Sequence, residues 1–346
     1  MASRDPVADL RHIAFLLERA LESTYRVRAY RGAANALEEL GADEVSARAA
    51  DGTLTKVKGV GNSTAAAVLE SLRGEEPGAL TKALALETEP LPPAVNELRA
   101  KLRGDCHSHS DWSDGGSPIR EMAMAARDLG HEYLVLTDHS PRLTVANGLS
   151  VERLERQLDV VAEINQELAP FRLLTGIEVD INEDGTLDQK PALLARLDLV
   201  VASVHSKLRM PSSEMTPRMV AAIANPHTDI LGHCTGRMVM GARGTRPESE
   251  FDAEIVFAAC EAFGVAVEIN SRPERLDPPN PLLQQAIEVG CLFSIDTDAH
   301  APGQLDWQPN GCEKAVECGL DPTRIVNTRS VDGLLAWTAD HSSGTS

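Results

Sequence analysis

A repeated pattern of apolar runs that end in metal-ligand-type residues constrains most strongly how this chain of 346 residues can fold. Beyond Gly104, each apolar run leads into histidine, aspartate or glutamate, and helix-length amphipathic segments separate the runs. The apolar runs with their polar ends are 133–139, 171–178, 199–205, 230–233, 265–270 and 292–300, and the opening stretch 105–109 is counted as a seventh strand. The polar ends from His109 to Asp298 lie 27 to 39 residues apart, the length of one β-α unit. The pattern predicts an α/β fold with seven strand-helix repeats.

In a parallel α/β barrel the C-terminal ends of all strands lie on one face, and the active site is found on that face. Residues far apart in sequence are therefore expected to converge there. The stretch 105–115, DCHSHSDWSDG, opens the series. On an extended segment His107 and His109 point to the same face, with Asp114 close behind. We interpret the shared pattern as a metal centre, because packing alone does not explain so many ligand-type residues at strand ends.

Composition limits the partners of this chain. The net charge of −19 argues against a broad nucleic-acid surface, but it permits local contacts. Residues 1–76 carry a net charge of only −2, so the N-terminal part is the one expected to touch a phosphate backbone. The sequence lacks an N-terminal signal segment and an apolar run of membrane-spanning length, and its six cysteines form no CxxC pair. These features predict a cytoplasmic protein with reduced thiols and no membrane partner, and they leave the oligomeric state open.

The first 80 residues are predicted to form a small all-α helix-hairpin-helix domain. Their apolar residues recur at helical spacing, and Arg26, Arg28 and Arg31 cluster in one segment. Gly59 and Gly61 form a Gly-x-Gly turn that lets backbone N–H groups at a helix N-terminus approach a phosphate. These five residues are the candidate DNA contacts, although a solvated helix face remains an alternative for the arginines. A proline-containing linker is predicted over 81–103 and the catalytic domain over 104–340.

The N-terminal segment resembles the N-terminal helical domain of family X DNA polymerases, over 25–34 and 59–61. In lyase-competent members a Schiff-base lysine follows the glycine turn, and the matching position here is Ala67. A lyase needs that amine as its nucleophile. The resemblance therefore implies binding of DNA ends without lyase activity. Within these 346 residues we find no paired-carboxylate strand from which to build a polymerase palm, so polymerase activity is not supported.

Residues 104–338 resemble the polymerase-and-histidinol-phosphatase (PHP) family, with the strongest local match to the C-terminal PHP domain of bacterial family X polymerases. The motifs are His107-x-His109, Thr137-Asp138-His139-Ser140, Gly176-Ile177-Glu178, Ser203-Val204-His205-Ser206, Gly232-His233, Glu268-Ile269-Asn270 and Asp298-Ala299-His300. The resemblance implies a distorted seven-stranded (β/α)7 TIM-like barrel holding three divalent metals, Zn²⁺ or Mn²⁺, with Fe²⁺ also possible. Imidazole and carboxylate ligands suit these ions and do not select Mg²⁺.

The resemblance also implies a ligand set for each metal. The first metal is assigned to His107, His109, Glu178 and Asp298, the second to Glu178, His205 and His233, and the third to Asp114, His139 and His300. Glu178, Asp298 and His300 are also assigned to catalysis. Phosphoester hydrolysis would then use a metal-bridging hydroxide.

Further polar residues follow the strand ends. Two roles are open for Arg237, Asn270 and Arg275. Each could bind a phosphate oxygen or a nucleotide, or it could form a salt bridge within a loop. Asp138 is expected to orient a neighbouring histidine.

Three functions follow from these features. The leading one is a phosphodiesterase at nucleic-acid ends, similar to a 3′–5′ exonuclease of DNA repair. The second is a phosphomonoesterase acting on a small molecule such as histidinol phosphate or a nucleotide, which the acidic catalytic part favours. The third is a non-catalytic DNA-binding protein, against which the full ligand set counts.

Overall fold

The computed structural model describes residues 4–86, 90–241 and 244–342. The chain divides into two compact units, Met1–Pro90 and Leu91–Ser346. Each unit has a hydrophobic core of its own.

The first unit is built from helices, as predicted. They are α1 (Pro6–Arg19), α2 (Thr24–Leu40), α3 (Ala42–Ala50), α4 (Asn62–Leu72) and α5 (Gly78–Leu84). The Asp5 side chain caps α1 by accepting a hydrogen bond from the backbone N–H of Val7. Leu10, Ile13 and Leu17 recur along one face of α1 and are buried in the core of this unit.

The glycine turn lies between a short 3-10 helix, Leu54–Lys56, and the start of α4. Gly59 has a φ of +93°, a backbone conformation that side chains with a Cβ rarely adopt. Gly61 has an ordinary extended φ of −95° and is the N-cap residue of α4. Glycine is therefore required by the backbone at the first position of the turn.

The second unit is a parallel barrel of seven strands in sequential order. The strands are β1 (Gly104–Ser108), β2 (Tyr133–Leu136), β3 (Arg172–Asp180), β4 (Leu199–Ser203), β5 (Ile230–Leu231), β6 (Ala266–Asn270) and β7 (Phe293–Asp296). Ser108 and Ala299 form a parallel bridge, and the backbone N–H of His109 donates to the Ala299 carbonyl at 2.8 Å. These contacts join the two ends of the sheet into a nearly closed barrel, which confirms the predicted fold class.

Side chains alternate between the two faces of each strand, which determines where the polar residues point. On β3, Ile177 and Val179 belong to a core cluster shared with surrounding helices, whereas Leu174 belongs to a second cluster with Tyr133 and Val201. Glu178 has the same parity as Leu174. This second face thus changes from apolar at the start of the strand to carboxylate near its end.

Helices surround the barrel, and those between β1 and β7 connect its strands. They are α6 (Pro93–Arg99), α7 (Ile119–Asp128), α8 (Val151–Leu168), α9 (Pro191–Leu194), α10 (Ser212–Ile223), α11 (Ala253–Phe263), α12 (Asn280–Val289), α13 (Gln308–Glu317) and α14 (Val331–Ser342). In the described ranges, no helix is long and apolar enough to cross a membrane.

The segment 81–103, predicted to be a linker, contains the end of α5 and all of α6. Proline is compatible with the first turn of a helix, where its missing N–H has no partner to lose. Pro93 is the first residue of α6, and Pro92 is its N-cap residue. These two prolines therefore begin a helix. The division between the two units falls after Pro90, and the domain limits at 80 and 104 remain predictions.

Candidate metal centre

The nine predicted metal ligands lie on or beyond the C-terminal ends of the barrel strands. Their side chains converge into overlapping groups of potential ligand atoms that lie within 4.8 Å of one another. The groups are His107, His109 and Asp298; His139, Glu178 and His205; and His109, Asp114, His139 and His300. His233 joins them through Glu178, whose Oε1 lies 3.0 Å from its Nε2. The structure thus brings all nine residues together, while their division among three ions remains a prediction.

Glu178 lies at the centre of this cluster. Its Oε1 lies 3.2 Å from Nε2 of His205 and 3.0 Å from Nε2 of His233. Its Oε2 lies 2.9 Å from Nδ1 of His139 and 3.4 Å from Nε2 of His107. Both carboxylate oxygens therefore face imidazole nitrogens, an arrangement that suits a carboxylate shared between two metal ions.

Asp114 forms the more open edge of the cluster. Its Oδ1 lies 3.3 Å from Nε2 of His300 and 3.5 Å from Nε2 of His139. Nδ1 of His300 lies 2.8 Å from the backbone carbonyl of Asp298, which directs Nε2 towards Asp114. The Asp114 side chain is 37% exposed, whereas that of Glu178 is fully buried.

Two carboxylates that the sequence analysis did not assign to the site support its histidines. Oε1 of Glu268 lies 2.6 Å from Nδ1 of His107, and Oδ1 of Asp180 lies 3.0 Å from Nδ1 of His205. Each contact leaves Nε2 of the ring facing Glu178. Such outer carboxylates fix the ring orientation of metal-binding histidines. The sequence could have indicated Asp180, because it follows Glu178 by two positions on β3 and its side chain therefore lies on the same face of the strand.

Buried imidazole nitrogens provide a test of whether the cluster suits metal ions. Among the described residues, Nε2 of His107 and both ring nitrogens of His109 are buried without a hydrogen-bond partner. Burying a polar atom without a partner is costly. Imidazole nitrogens and carboxylate oxygens are ligands for Zn²⁺, Mn²⁺ and Fe²⁺. The residues therefore fit a centre for such divalent ions.

The local electrostatics keep the carboxylates ionised. Burial opposes ionisation of Glu178, but His205, His139 and His107 outweigh it and hold the pKa of this carboxyl well below its usual range. Burial, followed by His300 and His139, lowers the pKa of His109 to about 3. Burial also favours the neutral form of His107, but Glu268 and Glu178 outweigh it and raise the pKa of His107 well above the ordinary value. Charged carboxylates and a neutral His109 are the forms that bind metals.

Two of the three predicted substrate contacts lie at the cluster. Nε of Arg275 lies 3.1 Å from Oδ2 of Asp298, and Nδ2 of Asn270 lies 3.3 Å from the same oxygen. Arg272, which the sequence analysis did not select, lies on the same side, with Nη1 3.9 Å from that oxygen. These side chains surround the edge of the cluster formed by Asp298.

Arg237 instead stabilises a neighbouring turn. Its guanidinium donates to the backbone carbonyls of Arg275 and Leu276 and lies 3.4 Å from Glu248. These contacts agree with the loop alternative and not with a direct phosphate contact.

The expectation for Asp138 was wrong. Its buried carboxylate accepts hydrogen bonds from Ser110, Ser113 and Gln157. It therefore orders the loop before Asp114 instead of orienting a histidine.

The predicted DNA contacts in the first unit differ in accessibility. Arg26 and Arg28 are exposed, and Arg26 pairs with Glu22 at 2.7 Å. Arg31 is buried, and its Nη2 lies 2.7 Å from Oε1 of Glu18. Arg31 is therefore a structural residue and not a surface contact, because α2 turns this side chain towards α1.

Two cationic residues that the sequence analysis did not select lie beside the glycine turn. Lys56 and Lys58 are exposed; Lys58 directly precedes Gly59, and Lys56 lies two residues earlier. The lyase position, Ala67, is 2% exposed and packs in the core of the unit.

Comparison with known proteins identifies both parts of the chain. Residues 105–272 match the PHP domain, and residues 1–76 match a helix-hairpin-helix domain. Residues 105–272 are therefore a PHP domain, and the chain is a metal-dependent phosphoesterase of the PHP type.

Particular relatives fall into two groups. The DNA polymerase/3′-5′ exonuclease PolX of Bacillus subtilis is 39% identical over 237 residues, which cover 68% of this chain and 41% of PolX. A protein of Thermoanaerobacter sp. (strain X514) named "Probable phosphatase" is 28% identical over 239 residues, covering 66% of this chain and 91% of that protein. The chain thus spans about two fifths of PolX and most of the second relative. A crystal structure of histidinol phosphate phosphatase from Lactococcus lactis, with zinc, L-histidinol and phosphate, has 20% identity and a TM-score of 0.47, covering 62% of this chain and 92% of that one.

Proposed function

We propose that this protein hydrolyses phosphodiesters at nucleic-acid ends, as a 3′–5′ exonuclease-like enzyme of DNA repair. The observation that carries the proposal is the presence, in one chain, of the His/carboxylate centre and of a helix-hairpin-helix domain with exposed cations. Lys56, Lys58 and Arg28 are exposed in a unit whose net charge is close to neutral. The likeness to PolX supports the same substrate class.

The residues of the centre divide the chemical work in this proposal. Bound divalent ions, three by our assignment, would supply Lewis acidity and an activated water molecule. Glu178, Asp298, Asp114 and the imidazoles would hold those ions, while Glu268 and Asp180 keep His107 and His205 in the binding orientation.

Arg272 and Arg275 would face the non-bridging oxygens of the scissile phosphate. Guanidinium groups suit this task because their planar donors match phosphate geometry. Arg275 already contacts Asp298, so a phosphate held there would lie directly against the candidate ligands. We assign Arg272 and Arg275, with Asn270, to substrate binding and leave Arg237 to the turn.

A second function, phosphomonoester hydrolysis on a small molecule, is also supported. The phosphatase-named relatives match over most of their length, and the buried centre in a strongly acidic unit disfavours a long polyanion. Both substrate classes use the same centre, so only substrates can distinguish them.

A side-by-side assay tests the proposal. The Mn²⁺- or Zn²⁺-loaded protein is incubated with 5′-labelled single-stranded and gapped DNA, and separately with phosphomonoesters that include histidinol phosphate and nucleotides. The proposal predicts shortening of the DNA, and Glu178→Gln controls for contaminating nucleases. Phosphate release from the small molecules with intact DNA would contradict it and favour the second function.

A further inference from the structure

The loop 110–116 carries the most exposed member of the metal cluster. Asp114 and His300 are 37% and 18% exposed at the side chain, whereas Asp298 is 3% exposed. Asp114 does not belong to a strand. One backbone hydrogen bond, from the N–H of Gly116 to the carbonyl of His300 at 2.6 Å, joins its loop to the end of the barrel. Further contacts hold the rest of the loop, and with it the Asp114 carboxylate, over His139 and His300.

The first set of contacts lies beneath the loop, at Asp138. This residue has no exposed surface, and its carboxylate accepts four hydrogen bonds. The donors are the backbone N–H of Ser110 at 2.8 Å and three side chains at 2.6 Å, namely Ser110, Ser113 and Gln157. Gln157 lies on α8 and is 2% exposed, so the helix anchors this network.

The second set of contacts holds the loop from the other side. The guanidinium of Arg153, also on α8, donates to the backbone carbonyl of Trp112 and, at 2.7 Å, to that of Asn147. The side chain of Asn147 donates to the same Trp112 carbonyl at 3.2 Å. The loop is therefore tied to α8 through two residues one helical turn apart, Arg153 and Gln157.

We infer that Arg153 and Gln157 are positioning residues for the third metal ion: together with Asp138 they hold the Asp114 loop in its metal-binding position. The inference rests on the proposed metal-dependent function. Arg153 acts through the backbone carbonyls of the loop and its neighbour Asn147, and Gln157 acts through the Asp138 carboxylate. Loss of the Arg153 or the Gln157 hydrogen bonds lets Asp114 move away from His139 and His300, while the buried candidate ligands around Glu178 keep their positions. The third ion then binds more weakly than the other two.

Metal-binding stoichiometry tests this inference on the full chain. Arg153→Met and Gln157→Met remove these hydrogen bonds while keeping an unbranched side-chain stem, and Arg156→Met is the matched control. Arg156 is exposed on the same helix and donates to the carbonyl of Glu152 within it. Each metal-free protein is equilibrated with a series of buffered Mn²⁺ concentrations, and bound metal is measured by elemental analysis. Thermal unfolding of the metal-free proteins shows whether each variant folds.

The wild type and Arg156→Met should bind three ions. The two test variants should bind two ions normally and need on the order of 10- to 100-fold more free Mn²⁺ for the third, as for other residues that support metal ligands. Excess Mn²⁺ should restore the third ion, which it would not do for a misfolded site. Wild-type affinity for the third ion in both variants, or equal weakening of all three, would overturn the inference.

A wild-type protein that binds only two ions would also overturn it, because no third ion would exist to position. Phosphoester hydrolysis by that two-metal protein would leave the proposed function standing. Three bound ions without hydrolysis of DNA or phosphomonoesters would instead contradict the proposed function alone.

Discussion

Glu268 and His107 form a direct carboxylate–imidazole contact, in which Oε1 lies 2.6 Å from Nδ1. The other ring nitrogen of His107 lies 3.4 Å from Oε2 of Glu178. The ring thus connects an outer carboxylate to the central one. Glu268 also accepts a hydrogen bond from the backbone N–H of His233, so a single side chain positions two candidate ligands.

Glu268→Gln should weaken metal binding without removing a ligand. An amide cannot supply the negative charge that holds the His107 ring, and loss of such a partner costs on the order of 10- to 100-fold in metal affinity. Calorimetric titration of the metal-free protein with Zn²⁺ measures the change. Glu288→Gln, at an exposed position on α12, is the matched control and should bind as the wild type does. Unchanged affinity in Glu268→Gln would contradict the outer-carboxylate role.

Arg272→Met should lower kcat/KM by about 10- to 100-fold, because a charge-assisted hydrogen bond contributes about 1.5–3 kcal/mol. The effect is expected on whichever phosphoester the enzyme hydrolyses. Arg172→Met removes an exposed arginine at the start of β3, away from the C-terminal strand ends, and should have little effect. Equal kinetics of the two variants would remove Arg272 from the substrate site.

Arg31→Ala should destabilise the first unit by about 3–5 kcal/mol, because it breaks a buried ion pair between Arg31 and Glu18 by removing one partner. Urea unfolding followed by circular dichroism measures this loss. Arg26→Ala removes an exposed arginine from the same helix and should cost less than about 1 kcal/mol. Similar stabilities of the two variants would contradict the structural role of Arg31.

Lys58→Gln should weaken DNA binding and reduce its salt dependence, because one fewer phosphate contact releases fewer counterions. Fluorescence anisotropy with a gapped oligonucleotide at several salt concentrations measures both quantities. Lys82→Gln makes the same charge change at an exposed position on α5 and should bind as the wild type does. Hydrolysis of a small phosphomonoester should stay unchanged in both variants. Equal loss of DNA binding in both would indicate an effect of net charge and not of the turn.

His131 should make the metal-free protein less stable at mild acidity. Burial, followed by the nearby charge of Arg99, lowers the pKa of His131 from its ordinary 6.5 to about 3. Between these values the unfolded chain binds a proton that the folded chain does not, so the free energy of unfolding rises with pH through this window. Burial of His131 therefore costs almost no stability above pH 6.5. The cost grows as the pH falls towards 3 and reaches about 2 kcal/mol at pH 5.

Urea unfolding at pH 7 and pH 5 checks this contribution. His131→Gln cannot titrate, so its stability should fall less between the two pH values than that of the wild type. An identical fall in both proteins would mean that His131 does not cause the pH dependence.

The convergence of the candidate ligands could be predicted because strand periodicity places them at one end of the barrel. His139, Glu178, His205 and Asp298 each follow an apolar run at a comparable point of the β-α repeat, His107 lies in the opening strand, and parallel strands bring such points to one face. The same parity places Asp180 and Glu268 at the site, although their role as supports depends on ring orientations that spacing does not encode.

Other features depend on packing between segments that are distant in sequence. Arg28 and Arg31 lie three residues apart on α2, yet only Arg31 faces Glu18 of α1. Asp138 adjoins a candidate ligand, but its bonds go to the 110–113 loop and to α8. Neighbouring residues in sequence do not reveal which side of an element another helix covers.

The polarity of DNA digestion tests the central claim most directly. A 5′-labelled single strand is incubated with the Mn²⁺-loaded protein, and two matched substrates carry phosphorothioate linkages at the 3′ end or at the 5′ end. We predict a ladder of stepwise shortened products, blocked by the 3′ modification, unaffected by the 5′ modification and absent with Glu178→Gln. Intact DNA in all three reactions, with phosphate released from a small phosphomonoester by the same preparation, would contradict nucleic-acid end processing.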